Sequence, residues 1–114
     1  MNEMQKYVAD LLQRIGYIED FTHEGWDDFA ADVKTQEAVI RSYEVIGEIV
    51  KRIPENVLAL YPHVVWKKIK GFRDFLIHNY DQVDLEYVWE AVLDLPNLKA
   101  AVEAMQRNIE QSGE

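Results

Sequence analysis

The sequence has no cysteine, which excludes disulfide scaffolds, iron–sulfur clusters, thiolate zinc sites and thiol nucleophiles and fits a reducing compartment. It has only five glycines and three prolines. None of them builds a glycine-rich phosphate loop, a Gly-x-Gly-x-x-Gly fingerprint or a Gly-x-Ser-x-Gly elbow. No apolar run approaches the ~18 residues of a membrane span, and the opening Met1-Asn2-Glu3-Met4 is too polar for a secretory signal. A cytoplasmic protein without membrane attachment is the expectation. Positive charge is also scarce: 12 bases face 21 acids, for a net charge of −9. Such a chain repels a polyanion at long range, so a nucleic-acid role must rest on a local basic patch or a basic partner. The three histidines, His23, His63 and His78, stand far apart and form no helix-borne zinc signature. No metal and no cofactor are expected. The acidic clusters Asp27-Asp28 and Asp81 to Glu86 could hold a divalent cation, but helix starts and solvated faces are the simpler reading.

What remains is helical periodicity along nearly the whole chain of 114 residues, with 48% apolar and 29% charged positions. One stripe joins Met4, Val8, Leu11, Ile15 and Ile18 and ends near Phe21 to Gly25. Trp26 to Phe29 reads as one short extra helical turn. A second long helix carries Val39, Tyr43, Ile46, Val50 and Ile53 until Pro54 stops it. After a connector from Glu55 to Pro62, a third helix is predicted from about His63 to about His78, with Val65, Ile69, Phe72 and Leu76 inward. A fourth starts after Asp84, a good cap residue, and continues through Val88, Val92, Leu95, Leu98, Val102, Met105 and Ile109, with Pro96 bending or restarting it. The expectation is an all-α, antiparallel four-helix bundle with one extra short helix, forming a single domain over residues 1–114, with Gln111 to Glu114 frayed. Three Trp, six Tyr and four Phe are more aromatic surface than such a bundle must bury, and part of it suits a dimer interface.

The informative stretch runs from Trp66 to Tyr80. Lys67, Lys68, Lys70 and Arg73 place four of the twelve bases in eight residues without an acid among them. Arg73 and His78 sit five apart, about 140° around an ideal helix, and do not meet on a straight one. They converge if the helix unwinds before His78, or if a second copy supplies the complementary group across a symmetry axis. Arginine and histidine suffice to cleave RNA through its own 2′-hydroxyl. Histidine, with an ordinary pKa of about 6.5, moves protons, and arginine stabilises charge on the phosphorane. The plainer alternative is that Arg73 pairs with Asp74 or another acid while His78 caps the helix end. Gly47, inside a helix, marks either close helix approach or mere tolerance.

Arg73, four residues, His78, one residue and Tyr80 reproduce the motif of the HEPN superfamily, and the flanks resemble its HepT-like toxin branch. Thr35 to Val39 and Glu44 to Glu48 resemble that family's second helix, Tyr61-Pro62 and Trp66 its approach to the site, and Val83 to Trp89 its last helix. The similarity covers roughly residues 4 to 108. It implies a homodimer in which two motif helices face each other across a composite cleft, working as a metal-independent endoribonuclease. Arg73 and His78 match the catalytic pair, Asp74 the polar residue after the arginine, and Asn79 a supporting position. Lys67, Lys68 and Lys70 are candidates for RNA phosphates. The resemblance further implies a toxin–antitoxin module in which a separate minimal nucleotidyltransferase transfers AMP to Tyr80. The alternative is a noncatalytic helical module that binds a nucleotidyltransferase or a nucleotide. A di-metal carboxylate bundle would need Glu-x-x-His pairs that the chain lacks.

Overall fold

A computed structural model describes residues 1–112. Gly113 and Glu114, at the end of the tail expected to fray, lie outside the described residues, and Gln111 is still helical. Helix α1 (Glu3–Thr22) starts at Asn2, whose side chain accepts from the Gln5 backbone N–H while the Gln5 side chain accepts from the Asn2 N–H. Val8, Leu11, Ile15 and Ile18 are its buried stripe, as their spacing requires. Gly25, with φ of 93°, turns the chain into α2 (Trp26–Ala31), a conformation that costs glycine little. Asp32 then caps α3 (Val33–Arg52) by accepting from the Lys34 N–H and the Thr35 hydroxyl. Pro54 forces the preceding Ile53 into extended backbone and ends α3.

Two boundaries differ from expectation. The segment read as a connector contains a further short helix, α4 (Glu55–Leu58), so the described residues form two short helices where one was expected. Pro54, with its φ already near the helical value, leads into it as the cap residue. The motif helix α5 (Trp66–His78) starts three residues later than predicted, because the Trp66 indole N–H donates to the Tyr61 carbonyl at 3.1 Å and holds the preceding turn. The last stripe is split as Pro96 demands. Helix α6 (Leu85–Leu93) ends at Asp94, and α7 (Leu95–Gln111) restarts there with proline in its first turn.

Helix α3 lies between α1 and α5, and α7 packs on α1. The α1–α7 pair runs in opposite senses: Lys99 bonds Glu19 at one end, and Gln106 and Ile109 share a hollow with Gln5 and Val8 at the other. The all-helical bundle is as expected. Most aromatic surface is used inside. Trp26, Phe29 and Trp89 stack mutually with centroids 5.2–5.9 Å apart, and Tyr43, Phe72, Tyr87 and Phe75 form a continuous series at 5.2–5.3 Å. Among the described residues, no helix is long and apolar enough to cross a membrane.

Candidate active site

Helix α5 positions the motif. Phe72 and Leu76 are buried and fix its rotation, which leaves Lys67, Gly71, Asp74 and His78 on the outer side and turns Arg73 toward α3. Gly47 makes room for that arginine. A methyl group there would collide with Arg73 Cβ and stand 2.8 Å from Arg73 Cγ and 3.4 Å from the Ile69 carbonyl oxygen. Close approach, rather than tolerance, is therefore the reason for a glycine inside α3.

Arg73 is held at both ends of its fork. Nη2 donates to Glu48 Oε2 at 2.8 Å and Nη1 to Asp74 Oδ1 at 3.0 Å, while Nε is buried without a hydrogen-bond partner. The side chain is 24% exposed, so part of it remains open to solvent. Asp74 Oδ1 also accepts from Lys51 Nζ. Those two bonds, the Lys51 one first and the Arg73 one second, hold the Asp74 carboxyl below the usual carboxylate range. Glu48 and Lys51 are not singled out by the motif or by their own spacing. A signal for them exists all the same: Lys51 follows Gly47 by four residues and Glu48 by three, spacings that group them on one side of α3.

His78 is the last residue of α5, exposed, with Nδ1 2.7 Å from the Asp74 carbonyl oxygen. A carbonyl only accepts, so Nδ1 carries the hydrogen of this contact and Nε2 is the ring nitrogen left to face a substrate. The helix does not unwind before His78, so that route to convergence with Arg73 is closed within one chain. Asn79 closes α5, its side-chain amide and backbone N–H both donating to the Phe75 carbonyl at 3.0 Å. Tyr80 stands just beyond, 80% exposed.

The candidate lysines scatter. Lys70 is tied to Glu55, Lys68 borders a hollow that also includes Glu90 and Asp94, and Lys67 is exposed on the outer side. Among the described residues, no three acids or histidines gather closely enough to hold a metal ion.

Fold and motif together define a helical bundle of the HEPN type. The pattern of one family within that type, described as Ribonuclease HepT-like, matches residues 11–105, and the chain belongs to it. It is similar to "Probable ribonuclease HepT" of Thermococcus cleftensis, with 42% identity over 103 residues, 89% of this chain and 94% of that one. A provisionally named RNase of Methanocaldococcus jannaschii is 40% identical over 114 residues, 98% of this chain and 94% of the other. Another, from Caldanaerobacter subterraneus subsp. tengcongensis, is 36% identical over 104 residues, 90% and 93% of the two chains. No solved structure matches the chain significantly.

Proposed function

We propose that the protein is a metal-independent endoribonuclease that works as a homodimer, and that it is the toxin of a toxin–antitoxin module. The observation that carries this reading is the pairing of a guanidinium fixed by two carboxylates with an exposed imidazole whose free nitrogen is Nε2. Arg73 and His78 leave one α5 in different directions, so they act on a single phosphate when a second motif helix closes over the first. One His78 Nε2 takes the proton of the RNA 2′-hydroxyl, and that oxygen bonds to phosphorus. The partner's His78 gives a proton to the departing 5′-oxygen as the P–O5′ bond breaks. Arg73 neutralises the charge that accumulates on the phosphoryl oxygens between these events. Asp74 and Asn79 support the pair, one by orienting Arg73 and the other by closing the helix that carries His78.

Tyr80 is the regulatory position in this reading. AMP placed there by a separate nucleotidyltransferase adds bulk and negative charge two residues from His78, where it opposes an incoming phosphodiester. Purified, unmodified protein should cut single-stranded RNA in EDTA, and His78→Ala should lower the rate by at least ~100-fold. A His78→Ala protein that cuts as fast as the parent removes the assignment. Co-expression with the cognate nucleotidyltransferase should add one AMP mass per chain, absent from Tyr80→Phe.

A further inference from the structure

Four of the chain's five arginines gather on one side of the bundle, and only Arg107 stands apart on α7. Arg14 of α1 and Arg41 and Arg52 of α3 line an open groove of about 410 Å³ that Ile77 of the motif helix also borders. Arg73 adjoins it through Glu48, which forms part of the groove wall. We infer that this groove is the track for the single-stranded RNA flanking the scissile bond, with Arg14, Arg41 and Arg52 receiving its phosphates. The inference rests on the ribonuclease reading of Arg73 and His78 and adds the substrate path to it.

The planar guanidinium fork matches phosphate oxygens in pairs, which a lysine ammonium does not. Arg14 has no carboxylate partner among the described residues. Its guanidinium lies over the Tyr17 ring, 5.5 Å from the centroid. Arg41 and Arg52 touch Glu44 and Glu48 only at 3.5 Å, with the arginine side chains 67% and 60% exposed. The Arg52–Glu48 pair is exposed on both sides and contributes little, so exchanging its carboxylate for a phosphate costs little, whereas the Glu44 side chain beside Arg41 is only 17% exposed. The three arginines balance Asp10, Glu44 and Glu48 in the same groove, making it formally neutral on a molecule of charge −9. A polyanion meets less repulsion there than from the molecule as a whole. The motif helix does not replace it, since Lys70 is engaged with Glu55.

The groove is also coupled to the reactive group. Glu48 serves both Arg52, at 3.5 Å, and Arg73, at 2.8 Å. A phosphate that draws Arg52 away leaves Glu48 to Arg73 alone, so occupancy of the track seats the guanidinium more firmly.

The test uses the full chain and a fluorescein-labelled single-stranded oligoribonucleotide, with binding read by anisotropy across a salt series and cleavage read in parallel. Arg14→Gln/Arg41→Gln, which leaves Glu48 and Arg73 untouched, should weaken binding about tenfold and lower the salt slope by about 0.7 for each phosphate that is no longer neutralised. In cleavage the loss should fall on KM. Asp10→Asn, which removes one acid from the groove, should tighten binding and so guards against a loss caused by misfolding. A double variant that binds with the parent's affinity and salt slope overturns the groove. A parent that binds RNA but cuts none overturns the ribonuclease reading instead, and weakened binding by the double variant would still support the track.

Discussion

Gly47 and Arg73 act as one unit. Any side chain at position 47 displaces the arginine stem or pushes α3 and α5 apart, because the obstructing atom is Arg73 Cβ rather than a flexible tip. Gly47→Ala gains about 1 kcal/mol of intrinsic helix propensity yet should lower stability by about 1–3 kcal/mol through overpacking. Urea denaturation reads the loss, and RNA cleavage should fall with it; a stabilised, fully active variant would contradict the packing. Tyr43 is the second informative residue. Its hydroxyl is buried without a partner, and burial, with Asp94 adding to it, pushes the phenol well above its ordinary value. A raised phenol contributes stability that is complete below about pH 10, the unfolded value. That contribution is lost as the pH climbs from there toward the folded value. Tyr43→Phe should therefore match or exceed the parent by about 1 kcal/mol at pH 7 and melt with a flatter pH dependence above pH 10. Equal alkaline slopes would refute this. Asp74 has the opposite sign: its lowered carboxyl supports the fold above the ordinary carboxylate range, and that support fades as the pH falls through the lowered value.

At the scale of elements, α5 is built against its own helix dipole. Val65 offers no side-chain cap, and Lys67 and Lys68 stand in the first turn, where positive charge is unfavourable. Val65, expected on the inward stripe, instead precedes the helix and is 65% exposed, because α5 starts only at Trp66. Val65→Ser should thus stabilise the protein by about 0.5–1 kcal/mol, read from the shift of the denaturation midpoint; no gain would mean that the start of α5 is fixed by its neighbours. The long helices are legible in the sequence because one-sided burial writes a period of three and four residues: Val8, Leu11, Ile15 and Ile18 in α1, and Val39, Tyr43, Ile46 and Val50 in α3, are all buried. Helix α4 is not legible, since four residues are too few to show a period. The start of α5 is hidden because a tertiary bond, from Trp66 to the Tyr61 carbonyl, decides it. The same divide holds at the candidate site. Arg73, His78 and Tyr80 stand out through their spacing, whereas Glu48, Lys51 and the arginines of α1 and α3 come together only when the helices pack.

For the whole molecule, the question is what meets the outer side of α5. A Cβ at Gly71 would touch nothing within 4 Å, so the position is open in a single chain. In the proposed homodimer it faces the second motif helix. Gly71→Arg should then leave each chain folded but shift sedimentation from twice 13.4 kDa to 13.4 kDa and abolish cleavage. A parent that sediments at 13.4 kDa at every concentration removes the dimer. The net charge of −9 opposes the approach of any polyanion, so on the proposed reading RNA would meet the molecule only where arginines offset the acids.

Tyr80 lies past the end of α5, outside any helical register and 80% exposed. A group attached to its ring would therefore meet neither core nor cap. On the proposed reading, a modification there would act on an already folded chain, without a refolding cycle between the two states.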